Sequence, residues 1–423
     1  MTKKILLLYV LLMLLFAACN LPSAEDTEQF HGQETATAIA LNFAATAQAE
    51  QQIEESVPES EPVIQDQSEG SEDAADDDES LQIQRSSDAG EAEEAAQASV
   101  LPTADPNRTP PELPAVFQTD LLNKLDTPHT YVEDTCLEIK NRWGEGKAAP
   151  GTVVMAIMYH SIVKGDTVEQ DNAVTVEQHQ QLIRDLHDQG FTAITTEQFI
   201  AFMENNDYIP ERSVLLIVDD RHSEENYIEH FKPYYDEWGW PVINAWISYE
   251  GTTQELWDGN AHAEAEGYVD HQAHGVVHNQ PMSDASTDEY LIGELKGSKD
   301  AIEEHFGKTP RAIIWPGGGF GYRPIEIAKE YGYKVGFTTH PRGPVMYNWV
   351  PLCDEDDSTR PAYVKDGNMD PLFVIPRYWD TDAAQHVDTV RQIGKAAKAY
   401  YEANKETELE YYDIVCKPVL GDL

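Results

Sequence analysis

Two carboxylates side by side, Asp219 and Asp220, end the aliphatic run Ser213-Val-Leu-Leu-Ile-Val218, and a His-x-x-x-His pair, His274 and His278, follows later in the chain. Successive residues of a strand point to opposite faces, so the two acids serve different groups: one can face a pocket while the other reaches elsewhere. A helical turn through His274–His278 would set both imidazoles on one face, as two ligands of one metal ion require. Two histidines and a carboxylate suit zinc or a similar divalent ion, with positions left for water and substrate. A third stretch, Ile313-Ile-Trp-Pro-Gly-Gly-Gly-Phe320, runs from a strand into glycines. There the backbone can approach a ligand and aim N–H groups at an oxyanion, or simply make a tight turn.

These residues need a rigid frame. Val153–His160 opens the folded core, and strand-like runs recur at 191–195, 213–220, 241–247, 312–316, 334–339 and 372–378. Helical patterns lie between them at 176–189, 196–205, 224–238, 287–306, 322–331 and 383–404. In the long one Leu291, Leu295, Ile302 and Phe306 recur at helical spacing, and Gly307 ends it. Strands alternating with helices imply right-handed βαβ units and a parallel sheet, here an α/β (β/α) barrel of about seven units, fully closed or not. In such a frame chemistry sits where strands end, and His160, Asp219, Asp220, His274 and Pro316 all fall there.

Not all 423 residues belong to that frame. Lys3-Lys4, the apolar run 5–16 and Ala17-Ala18-Cys19 form a secretion signal too short to span a membrane. Small residues directly before a cysteine resemble the lipobox of bacterial lipoproteins, which makes 1–18 a signal peptide and Cys19 the lipid-bearing residue of an extracytoplasmic, membrane-anchored protein. Residues 20–118 hold 23 acids against two bases, so 19–118 reads as a disordered acidic tether. The remaining 119–423, with a core at 153–378, is also acidic, which excludes nucleic acid as a partner. Of Cys136, Cys353 and Cys416, one pair can form a disulfide outside the cytoplasm.

A Tyr-His strand end, a strand ending Asp-Asp, a His-x-x-x-His and a strand ending Pro-Gly, in this order, resemble the polysaccharide deacetylases of the nodulation-factor deacetylase homology type, carbohydrate esterase family four. Within it the resemblance is to the branch containing poly-N-acetylglucosamine deacetylases, and it covers 153–378. It implies Asp219 as catalytic base, Asp220, His274 and His278 as metal ligands, His160 as general acid and the Gly317 amide as oxyanion donor. The metal would be zinc, with cobalt or nickel as alternatives, and the substrate an N-acetylated glycan. The chain departs from the family's usual pattern at Arg221, where glycine is usual, at Gly275, where Ser or Thr is usual, and at Ile314-Trp315, where many members carry an arginine that orients the base.

Amide hydrolysis explains the set. A carboxylate of pKa about 4 facing water of pKa about 15.7 is mismatched by roughly 12 units, about 16 kcal/mol; coordination brings the water to about 7 and the mismatch to about 4 kcal/mol. His340 is an alternative proton donor, His271 an alternative ligand if the turn is not helical, and His222 a loop residue. Of the tryptophans near strand ends, Trp246, Trp315 and Trp379, Trp315 is the candidate sugar platform. Two rival readings stay open: a catalytically inactive glycan-binding lipoprotein with the same barrel, and an O-acetyl esterase.

Overall fold

The structure, a computed structural model, describes residues 108–165, 167–168, 170–355 and 365–423. The signal peptide 1–18, Cys19 and the tether up to 107 lie outside the described residues. The chain enters through β1 (Asp126–His129) and α1 (Thr135–Trp143), then β2 (Val153–Tyr159) and the short β3 (Ser161–Val163) and β4 (Ala173–Thr175). Next come α2 (Val176–Asp188), β5 (Thr192–Ala193), α3 (Thr196–Asn205) and β6 (Arg212–Asp219). Thr175 with Gln178 and Thr195 with Gln198 form capping boxes that start α2 and α3 where the sequence places them. Pro233 splits the helix expected over 224–238 into α4 (Glu224–His230) and α5 (Lys232–Trp238).

The second half runs β7 (Val242–Trp246), α6 (Gln254–Glu266), β8 (Val269–Ala273), α7 (Asp288–Phe306), β9 (Ala312–Ile314), α8 (Tyr322–Glu330) and β10 (Val335–Phe337). It finishes with β11 (Val350–Cys353), β12 (Tyr378–Trp379) and α9 (Ala383–Tyr411). Sequence periodicity missed α1, α6 and β8. It also reads 372–378 as a strand, where a 3-10 turn at Pro371–Phe373 and irregular chain lead into β12.

Seven strands pair in the order β10-β9-β8-β7-β6-β2-β12, parallel throughout, with β5 also on β6. The sheet curls with alternate residues on opposite faces. Val154 and Ala156 of β2 and Leu215 and Ile217 of β6 fill the inner core. Val153, Met155 and Ile157 of β2, with Val214, Leu216 and Val218 of β6, pack outward on Leu182, Ile183 and Leu186 of α2 and Val387, Val390 and Ile393 of α9. Each such side chain contributes about 1.5–3 kcal/mol on burial, which is why a strand buried on both faces holds its end still. The segment before β12 touches both edges of the sheet. Ile375 bridges Phe337 of β10, and Tyr378 and Trp379 pair with Ile157 and Met158 of β2.

The tether boundary at 118 is corrected to an earlier position. Phe117 is buried against Trp349, Tyr400 and Tyr401, because an aromatic ring gains more from that pocket than from solvent. Residues 379–423, left open by sequence, pack outside the barrel: α9 lies on β2 and α2. A disulfide joins Cys136 of α1 to Cys416, and Cys353 is a buried free thiol.

Candidate active site

Asp219 ends β6 on its inner-facing side, and Asp220 leaves the strand with φ 73. Aspartate visits this left-handed region more readily than most residues, and the turn is held from outside. Asn244 of β7, fully buried, donates to the carbonyls of Val218 at 2.9 Å and Asp220 at 3.0 Å. His222 adds a ring N–H donated to the Asp219 carbonyl at 3.0 Å, so it braces the acids rather than serving only as a loop residue.

His274 follows β8, and its backbone N–H continues the sheet by bonding to Trp246 O. Its Nδ1–H donates to Ile314 O at 2.7 Å, which leaves the Nε2 lone pair to a ligand, 3.9 Å from Asp220 Oδ1. Burial, reinforced by neighbouring His278, lowers the His274 pKa to about 4, so the ring is neutral, the form that coordinates. The rings of His274 and His278 have centroids 4.5 Å apart. One donor atom from each of Asp220, His274 and His278 lies within 4.8 Å of the others, and this is the one such group among the described residues.

Of the two possibilities for His274–His278, the structure takes the non-helical one. Gly275 and His278 have φ 79 and 55, and the segment is a loop whose amides converge on the buried carboxylate of Glu294. A carboxylate from α7 thus does what the hydrogen bonds of a helical turn would have done. His271, the alternative ligand, lies on β8, fully buried between Glu264 and Asn260, which take its two ring nitrogens at 2.8 and 2.9 Å. It is a core histidine.

Arg377 was not foreseen. It is fully buried, donates from Nη1 and Nη2 to the two oxygens of Asp219 at 2.6 and 3.0 Å, and anchors Nε on Thr338 O at 2.8 Å. Burial pushes the Asp219 pKa up, but Arg377 outweighs it, helped by His274 and His160, and holds the carboxyl well below its usual range. The arginine that meets Asp219 therefore comes not from 314–315 but from the segment that joins the sheet edges. His160, directly after β2, brings Nε2 to 3.8 Å from Asp219 Oδ2 and stacks on Trp379, ring centroids 5.4 Å apart at 13°. Nearby Asp380 is buried, which raises its pKa to about 8. At neutral pH it adds little charge beside Asp219.

Trp315, the expected platform, is fully buried with its N–H donated to Phe373 O at 2.8 Å, and Trp246 is buried too. Half-exposed Trp379 is the strand-end tryptophan at the site. Gly317 stands in a 3-10 turn, Pro316–Gly318, with φ 56. The N–H groups of Gly318 and Gly319 turn back to the carbonyls of Trp315 and Pro316. Arg221 is directed at the loop after β7, donating to Thr252 Oγ1 at 3.2 Å with its guanidinium 5.0 Å from the Tyr249 ring. His340 follows β10 and is half-buried.

Fold and site together define an α/β barrel with a two-histidine, one-carboxylate group and a buried acid–arginine pair at its strand ends. Residues 207–336 match the family model described as polysaccharide deacetylase. The Bacillus subtilis (strain 168) protein YxkH, described by the same family name, is 23% identical over 186 residues, 44% of this chain and 64% of that relative. Similar solved structures include the Streptococcus pyogenes deacetylase PplD in complex with acetate (19% identity, 54% of this chain, 92% of that chain, TM-score 0.43). Another is IcaB from Ammonifex degensii (16% identity, 59% of this chain, 98% of that chain, TM-score 0.42).

Proposed function

We propose that this chain is a metal-dependent N-deacetylase that removes acetyl groups from an amino-sugar polysaccharide, with poly-N-acetylglucosamine as the foremost substrate class. The observation that carries the reading is the meeting of Asp220, His274 and His278 beside an Asp219 that Arg377 holds ionised. Two imidazoles and a carboxylate suit zinc, or cobalt or nickel, and the tautomer imposed on His274 by Ile314 O fits that use. Such an ion supplies Lewis-acid polarisation of the acetyl oxygen and a more acidic water.

The residues of the chain divide the rest of the work. Asp219 takes the proton from the attacking water, whose oxygen bonds to the acetyl carbon. The Gly317 N–H donates to the carbonyl oxygen as charge builds on it. His160 Nε2–H then gives its proton to the amine nitrogen as the C–N bond breaks, releasing acetate and a free amino sugar. Trp379 holds the His160 plane, and the neutral His274 completes the ligand set.

The test is direct. The purified chain is expected to hold about one transition-metal ion and to release acetate from poly-N-acetylglucosamine or chitooligosaccharides. Asp220→Ala and His274→Ala should each lose both properties. A metal-free native protein at full activity would overturn the metal reading, and glycan binding with no acetate released under metal-replete conditions would leave a binding protein. We also propose that the domain sits outside the cytoplasm on a lipid carried by Cys19. The Cys136–Cys416 disulfide supports an oxidising compartment. Labelled fatty acid should enter the chain and be lost in Cys19→Ala; wild-type chain recovered unlabelled would remove the anchor.

A further inference from the structure

A buried carboxylate that belongs to neither the acid pair nor the ligand set governs the loop between the two histidines. Glu294 lies on α7 among Leu291, Leu295, Ser298 and Ile302, and is 2% exposed. A charge buried this deeply is costly unless it is hydrogen-bonded. Its oxygens accept from successive backbone N–H groups: Val276 at 2.8 Å, Val277 at 3.0 and 3.3 Å, and His278 at 3.4 Å. Three backbone amides converging on one buried carboxylate tie the loop to a single side chain of α7. With its N–H turned inward to Glu294 and φ at 55, His278 presents its ring toward His274.

Gly275 is the other half of the device. It has φ 79, and a Cβ there would collide with Glu294 Oε2 and come within 3.3 Å of Pro316 Cγ. The serine or threonine usual at this place in the family's motif cannot coexist with Glu294 in its present position. We infer that Glu294 is the positioning residue for the proposed metal ligand His278, and that Gly275 and Glu294 form an interdependent pair standing in for a side chain at 275. The inference rests on the reading of Asp220, His274 and His278 as a metal site.

The experiment titrates zinc alone, against a chromophoric chelator, into the full chain and its variants, with the visible spectrum of the cobalt form and thermal unfolding of the apo-protein as companion readouts. Glu294→Ala should weaken zinc binding by about 10–100-fold, the range found for groups that orient metal ligands, and should alter the cobalt spectrum. Glu294→Gln, which keeps one carbonyl acceptor but turns an NH2 toward the loop amides, should fall between it and the wild type. Gly275→Ser alone should weaken zinc binding through the collision, and Glu294→Ala with Gly275→Ser should bind better than the sum of the two losses allows. A merely structural glutamate would lower apo-protein stability while leaving affinity and spectrum unchanged, and that result would overturn the inference, as would strictly additive losses. If Glu294→Ala does not fold, Glu294→Gln and Gly275→Ser carry the same test. A wild type that binds no zinc, cobalt or nickel would overturn the metal-site reading itself, which is a different outcome from a wild type that binds and variants that bind equally.

Discussion

Asp219→Asn is expected to lower acetate release by about 10²–10⁴-fold, the range of a lost general base, while zinc affinity stays within a few-fold of the wild type. The amide keeps a carbonyl oxygen for one Arg377 donor, so the barrel should still fold, with some stability lost because the buried guanidinium no longer meets a full negative charge. The separation of activity from metal binding is what distinguishes Asp219 from Asp220. Acetate assays with metal analysis on the same sample check it, and Asp219→Asn at wild-type rate with metal bound would mean that another group takes the proton.

Arg377→Met should be the most destabilising single change near the site. It leaves the Asp219 carboxylate buried and unpaired, a situation that costs about 3–5 kcal/mol when one partner of a buried pair is removed. Burial, the largest influence on Asp219, would then act unopposed and raise its pKa. In the wild type the folded-state pKa is depressed, so the pair stabilises the fold above the unfolded carboxyl pKa of about 3.9 and loses that contribution only as pH falls through the lower folded value. In Arg377→Met the contribution is gone at neutral pH, and the acid limb of the rate–pH profile should move upward. Arg377→Lys, which keeps charge but not the two-pronged geometry, should lie between. Denaturant unfolding and the pH profile measure both effects; unchanged stability and an unshifted acid limb in Arg377→Met would show that the pair is incidental.

Residue types carried the site further than periodicity carried the frame. The runs 153–160 and 213–220 declare themselves because they are buried on both faces, and α2 and α3 because their capping boxes are local in sequence. β8 was hidden by its composition. Asp270, His271 and Gln272 make it look like a polar loop, yet each is satisfied: Asp270 by Lys308 and Thr196, His271 by Glu264 and Asn260, Gln272 by the amides of Arg311 and Ala312. Such partners leave no trace in a local pattern, so the sequence alone does not decide whether His274–His278 is a helical turn or a loop following β8. Trp315 failed as a platform for a related reason, since an indole N–H finds its acceptor, Phe373 O, only in the folded chain.

Arg377 and Asp219 are 158 residues apart, yet Arg377 belongs to the short segment in which Ile375 meets one edge of the sheet and Tyr378 the other. The segment that joins those edges therefore also brings the guanidinium to Asp219. Loop closure over such a distance comes late and is slow relative to local pairing. Asp220, His274 and His278 follow β6 and β8, whereas the partner of Asp219 comes from beyond β10, so the three-residue group and the acid–arginine pair depend on different parts of the sheet.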